Sequence, residues 1–305
     1  MTDQSNHKPR LSVVVILHNM RREAPRTIYS LSPEYQQGVE KDDYEVIVVE
    51  NGSSLPLTPE EIADFPANTS YHFHDTQSVS PVGAIQFGMS QTRGEFVALI
   101  VDGARMVTPG KIAKTLTVLE NVKDPFVCSL AWHLGPDEQR FSMQNGYDRA
   151  EEGRLLASIN WKQNGYRLFE ISTLAPSSRH WVKGGMPSEC SYFAMRKSTY
   201  DAMGGYDIRF VSPGGGLMNH DFVNRLWQVA GITPIVLLGE GSFHQMHGGV
   251  ATNSTAKVHP FQVFKEEYEA IHECEYVVAP SPMPFFYGEY PDAAAQFMSE
   301  TKGKR

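Results

Sequence analysis

The chain is expected to fold as an α/β protein built on a mostly parallel sheet with helices on both faces. Three observations carry that expectation. Short runs rich in Val, Ile and Leu at 11–17, 44–49 and 96–101 have the length and unbroken apolarity of strands buried on both faces. Helix-patterned segments separate them, and strands alternating with helices build parallel sheets. Polar residues follow each run at once: His18-Asn19, Glu50-Asn51 and Asp102. In open sheets of this kind ligands sit beyond the carboxyl ends of the strands, so these positions are the first candidates for a site.

Each element has its own signal. After the first strand comes a helix candidate rich in Arg, Glu and Leu. The second strand ends in Glu50-Asn51-Gly52-Ser53-Ser54, which is turn chemistry. Residues 71–74 alternate as a strand does. From about 81 to 91 a helix places Ala84, Phe87 and Met89 among polar neighbours, and Gly94 ends it. The third strand runs straight into Asp102-Gly103. Pro109 opens another helix at its first turn, where a missing N–H costs nothing. Residues 131–185 hold Trp132, Trp161 and Trp181 with little periodicity, and read as mixed strands and loops. Residues 192–195 read as a strand, and 198–203 as a short helix stopped by Gly204-Gly205. Residues 221–230 form a helix with Phe222, Leu226 and Val229 on one side; 232–238 form another strand. Beyond Ala279 clustered Pro, Phe and Tyr suggest an arm over the surface, ending in a basic tail.

Composition narrows the function classes. The 305 residues are 41% hydrophobic and 20% charged, which excludes a disordered chain or a coiled coil. Twenty-seven Lys and Arg against 35 Asp and Glu leave a net charge of −8, which argues against a broad nucleic-acid surface. No apolar run approaches the roughly 18 residues of a membrane span. The polar opening, residues 1–10, lacks the apolar core of a secretion signal. A cytoplasmic location, at most peripheral to the inner face of a membrane, is expected. Three widely spaced cysteines suggest neither a disulfide framework nor a zinc-thiolate site.

Seven motifs in order then resemble the family 2 glycosyltransferases of the GT-A fold over roughly residues 10–255. They are Leu17-His18-Asn19 closing the first strand, Glu50-Asn51-Gly52-Ser53 closing the second, and Ala84-Ile85-Gln86-Phe87-Gly88 on a helix. Gly94-Glu95-Phe96 then runs through to Asp102-Gly103-Ala104, with Pro109 beyond. Gly204-Gly205-Tyr206-Asp207, Asp221 before Arg225-Leu226, and His244-Gln245-Met246-His247-Gly248-Gly249 follow. The resemblance implies a GT-A, Rossmann-like sheet with a smaller mixed acceptor-side region. A disordered start (1–10), a nucleotide-sugar-binding half (11–130), an acceptor-binding and catalytic half (131–255) and a C-terminal arm (256–305) are expected. It also implies transfer of a sugar from a nucleoside-diphosphate sugar, most simply UDP-linked, to a glycan or small-molecule hydroxyl with inversion, as in polysaccharide biosynthesis. Retention stays open, because fold does not fix stereochemistry.

Such a transfer must hold the nucleotide, neutralise the leaving diphosphate and remove a proton from the acceptor. Nucleotide-sugar contacts are expected from Leu17, His18, Asn19, Glu50, Gln86, Asp102, Gly103 and Ala104. His18 suits stacking on the base, Glu50 accepting from a base N–H; each has a plainer reading, as a strand-end histidine and a turn carboxylate. Mn²⁺ or Mg²⁺ would be held by Asp102 and His247, with His244 the weaker candidate. Ala104 stands where the family's second Asp usually ligates metal, and Arg105 suggests a guanidinium that meets a diphosphate directly. Asp221 is the expected base, or else a helix cap, with His220 as alternative. Trp161, His180 and Trp181 could face an acceptor sugar or belong to the core. Two rival readings remain: a catalytically weak nucleotide-sugar or glycan binder, and a sugar nucleotidyltransferase. The lack of a Gly-rich loop after the first strand counts against the second.

Overall fold

The structure, a computed structural model, describes residues 8–186, 191–248 and 261–299. In chain order the elements are β1 (Leu11–Leu17), α1 (Ala24–Ser30), β2 (Tyr44–Asn51), α2 (Pro59–Ala63), β3 (Thr69–His74), α3 (Val82–Ser90), β4 (Phe96–Ile100) and β5 (Arg105–Val107). Then come α4 (Lys111–Asn121), β6 (Pro125–Leu134), α5 (Gln139–Gln144), α6 (Arg149–Ser158), β7 (Ser172–Leu174), β8 (Phe193–Arg196), α7 (Lys197–Ala202) and α8 (Met218–Leu226). The chain closes with β9 (Thr233–His244), α9 (Phe261–His272), β10 (Phe285–Tyr287) and α10 (Asp292–Ser299).

One sheet runs in the order β10-β9-β6-β8-β4-β1-β2-β3, with β5 on β9 and β7 on β6. Strands β4, β1, β2 and β3 are mutually parallel, as are β6, β9 and β10. Strand β8 lies antiparallel between β4 and β6 and joins the two halves. The period of two explains why the strands read as unbroken apolar runs. Val14, Ile16, Ile47 and Val49 face a core that includes Val82, Ile85 and Met89 of α3. Val13, Val15, Val46 and Val48 face the opposite core, with Ile28 of α1 and Ile112, Leu116 and Leu119 of α4. Both faces are covered, so most residues of both sets are apolar, and the buried polar pair Ser12 and Glu45 is satisfied by its own hydrogen bond at 2.7 Å.

The structure corrects several expectations. Residues 8–10 are ordered: Arg10 pairs with Asp43 at 2.8 Å. Residues 1–7, also expected to be disordered, lie outside the described residues. The 131–185 region contains two α-helices and two 3₁₀ helices as well as strands. Helix α6 escapes a periodicity search because it buries only Glu152 and Leu156. Its start is set by Asp148, whose Oδ1 accepts the N–H groups of Ala150 and Glu151. The helix expected at 221–230 begins earlier, at Met218, and ends at Leu226. The strand expected at 232–238 continues to His244, beyond a bulge: Ser129 pairs with Leu237, but Leu130 pairs with Gly241. The C-terminal arm is partly built into the fold, since β10 pairs with β9 and α9 buries Phe264 and Tyr268. No helix among the described residues is long and apolar enough to cross a membrane.

Candidate active site

Asp102 leaves the end of β4 and meets the end of β9. Its Oδ2 lies 2.8 Å from His244 Nε2 and 3.4 Å from His247 Nε2, and the two imidazole Nε2 atoms are 3.1 Å apart. The three side chains form a group with metal-ligating geometry, every donor atom within 4.8 Å of the others. His244, weighed below His247 in the sequence, is a full member.

Proton placement tests whether a cation fits. Gln139 donates its Nε2 to the His244 carbonyl at 2.8 Å, which leaves its Oε1 as acceptor, 2.6 Å from His244 Nδ1. The Nδ1 therefore carries the proton. Burial pushes the His244 pKa down to about 4 against the pull of Asp102, so the ring is neutral near pH 7 and Nε2 presents a lone pair. That lone pair faces the Asp102 carboxylate, whose pKa burial would raise but the two histidines hold well below the usual range. A lone pair and a carboxylate at 2.8 Å repel unless a positive charge lies among them. Burial opposes a charged His247, but Asp102 outweighs it and raises its pKa. Hence a proton on His247 or a bound cation balances the cluster. A donor set of one carboxylate oxygen and two imidazole nitrogens suits Mn²⁺ better than Mg²⁺, and the Gln139 bond to the remote ring nitrogen is the kind of support that metal-bound histidines have.

Sheet register builds the rest. His133 of β6, His244 of β9 and Arg105 of β5 are directly paired across neighbouring strands. Arg105 is only 9% exposed, and its Nη2 lies 3.7 Å from Asp102 Oδ2. Its Nε and Nη1 are buried with no hydrogen-bond partner. Burial, helped by the nearby Arg105 and Arg179 charges, pushes the His133 pKa well below its ordinary value.

The other expected residues fall into two groups. His18 and Asn19 are exposed at the end of β1. His18 Nδ1 donates to the Asn51 carbonyl at 2.7 Å, which fixes the ring and leaves its face open. Asn19, at φ 53°, receives Ser54 N–H and hydroxyl on its Oδ1, tying the two strand-end loops together. Gln86 is exposed on α3 and donates to the Tyr206 carbonyl. Leu17, Gly103 and Ala104, in contrast, are buried, so the side chains of Leu17 and Ala104 offer no surface to a nucleotide. Gly103 donates its N–H to Ile16 O, and Ala104 donates to Asp102 Oδ1, so they position the Asp102 loop. Glu50 is 1% exposed; its Oε2 accepts Tyr71 hydroxyl at 2.6 Å and Leu57 N–H at 3.1 Å. The carboxylate holds the following loop in place of pointing into the open.

Asp221 is likewise enclosed. It is 1% exposed, with Oδ2 held by Arg225 at 2.8 Å and Oδ1 lying 2.9 Å from His272 Nε2. Arg225 also donates to the carbonyls of Met203 and Gly205. A buried carboxylate paired with Arg225 anchors α8 to its neighbours. His220 Nδ1 is 3.0 Å from Tyr276 hydroxyl. Trp161 is a core residue, edge-on to Tyr29 and Tyr35; the side chains of His180 and Trp181 lie outside the described residues. Sequence reasoning missed Gln139, His133 and the Arg22–Glu152 network described below. No motif marks them, because sheet pairing and helix packing bring them to the site.

A mostly parallel sheet with an acidic and two imidazole side chains gathered beyond its strand ends defines a GT-A-type α/β protein. The model for "Glycosyl transferase family 2" matches residues 12–226, and the chain belongs to that family. Among solved structures it is similar to S. aureus TarS 1–349 in complex with UDP-GlcNAc, at 14% identity and a TM-score of 0.51, over 86% of this chain and 65% of that one. It is also similar to S. aureus TarS, at 13% identity and a TM-score of 0.50, over 78% of this chain and 37% of that one. The chain thus spans under two thirds of these proteins. A search of curated proteins found no match.

Proposed function

We propose that the chain transfers a sugar from a nucleoside-diphosphate sugar, UDP-linked, to an acceptor hydroxyl with inversion. The observation that supports it is the Asp102, His244 and His247 cluster beside a buried Arg105, at the strand ends where this fold takes nucleotides. The UDP-GlcNAc complex of TarS supports a UDP-sugar as the first donor to try.

Each residue has a derived task. The His18 ring, held by the Asn51 carbonyl, offers a flat face to a base. Asp102, His244 and His247 would hold Mn²⁺ or Mg²⁺, which supplies charge neutralisation to a leaving diphosphate. Arg105 brings a second positive charge. Its two unpartnered nitrogens, Nε and Nη1, cost about 1–3 kcal/mol each while unmet, and phosphate oxygens are acceptors that would meet them. Because Arg105 is fixed by strand pairing, it needs no reorganisation as charge develops.

A second reading has its own observation. Ala104 supplies no second carboxylate, and Asp221 is buried and paired with Arg225. On that reading the protein binds a nucleotide sugar without transferring it. Thermal shift with UDP, GDP and CDP, with and without Mn²⁺, tests the common ground. A ligand at 100 times its Kd stabilises by about 2.7 kcal/mol, and a UDP shift that requires Mn²⁺ is expected. No shift with any nucleotide would overturn both readings. Release of UDP from UDP-GlcNAc over hours then separates the enzyme from the binder.

A further inference from the structure

We propose that Glu152 is a positioning residue for His247, holding the turn that places its imidazole beside Asp102. The inference rests on reading the Asp102 cluster as a cation site. Glu152 is fully buried on α6 and is not itself one of the three cluster residues. Its Oε2 accepts the Met246 N–H at 2.7 Å, one residue before His247. Its Oε1 is met by Arg22 at 3.0 Å and Arg26 at 3.4 Å, from the start of α1 and the segment before it.

The turn is tied at every residue. Gln245 donates its N–H to Ala104 O at 2.8 Å, and its side chain bonds Glu23 O and Thr27 Oγ1. Arg22 also donates to Met246 O, and Arg149 donates to His247 O, both at 3.2 Å. Helices α1 and α6, distant in sequence, therefore grip the turn from two sides through one carboxylate.

The chemistry argues for position over bulk stability. A buried carboxylate pays a desolvation penalty that its arginines only partly return, and well-packed apolar residues stabilise such places as well or better. What apolar residues cannot do is accept the Met246 N–H and fix the turn to a few tenths of an ångström. Ligand and catalytic geometries tolerate about 0.5 Å of error.

The test is Mn²⁺ affinity, read by electron paramagnetic resonance of the free ion at a temperature well below melting. Glu152→Gln keeps the size and one acceptor but removes the charge that gathers Arg22 and Arg26. Its dissociation constant for Mn²⁺ is expected to rise roughly 10- to 100-fold. Glu151→Gln, an exposed neighbour paired with Arg154, is expected to bind as the parent does. Arg22→Ala, which removes the guanidinium bonded to both Glu152 Oε1 and Met246 O, is expected to weaken binding several-fold, and decides the matter if Glu152→Gln does not fold. Parent-like affinity in a folded Glu152→Gln, or in Arg22→Ala where that variant decides, would overturn the inference while leaving the cation site intact. A parent protein that binds no Mn²⁺ would overturn the cation site, and this inference with it.

Discussion

At the residue scale, His244 shows how one hydrogen bond decides what a side chain can do. With its Nδ1 proton given to Gln139, its other nitrogen is a pure acceptor facing Asp102. Gln139→Leu frees the ring to flip its tautomer, and Mn²⁺ affinity is expected to fall about 10- to 100-fold, measured by calorimetry. Asp221 poses the opposite case. As a buried ion-pair partner of Arg225, its replacement by Asn is expected to cost about 3–5 kcal/mol of stability in urea unfolding. An Asp221→Asn protein as stable as the parent but without turnover would return Asp221 to the role of base.

At the element scale, the site depends on two irregularities. The first is the β9 bulge, which turns Glu240 toward Tyr166 hydroxyl at 3.0 Å and lets the strand resume to carry His244 opposite both His133 and Arg105. The second is the tight passage of the β4–β5 loop over β1. A Cβ on Gly103 would lie 2.2 Å from Leu17 Cδ2 and 2.7 Å from Ile16 O. The leucine could rotate, but the carbonyl belongs to a ladder strand and cannot. Gly103→Ala is therefore expected to lift the loop and weaken Mn²⁺-dependent UDP binding at least tenfold, with far-UV circular dichroism unchanged. Equal UDP affinity would show that the loop's height over β1 does not matter.

At the scale of the whole molecule, the sheet buries a lysine. Lys111 of α4 is bonded to Ser129 hydroxyl, lies 4.7 Å from the Tyr192 ring centre, and has Glu240 and Cys128 as its nearby titratable neighbours. Burial lowers its pKa to about 7, against the pull of Glu240; in the unfolded chain it returns to about 10.4. Between those values the unfolded state binds more protons, so this group makes stability rise with pH from about 7 to 10. At lower pH the folded protein carries a buried charge. Lys111→Met is expected to be more stable than the parent near pH 6, by on the order of 4 kcal/mol at most, and the gap should shrink toward pH 10. Urea unfolding at both pH values measures it; a gap independent of pH would mean that Lys111 does not titrate in this range.

The order of strands and helices in the first half was legible because its signals are local. An apolar run buried on both faces, a turn dipeptide and a helix stop are each written within ten residues. Asp102 was legible for the same reason, since a carboxylate directly after a buried strand has few structural uses. His247 could be named from its motif. The partners of Glu50 and Asp221 were not legible, because a carboxylate reads alike whether it meets a ligand, a tyrosine or an arginine, and only packing supplies the partner. Helix α6 was hidden by its small apolar face. The amino-acid sequence by itself determined an α/β sheet with polar residues at its strand ends. The tertiary structure decided which of those residues share a site. A bulge, an antiparallel β5 and a buried carboxylate bring Arg105, His244 and Glu152 together from segments up to about 140 residues apart, and contact at that separation depends on register and packing, which no local pattern encodes.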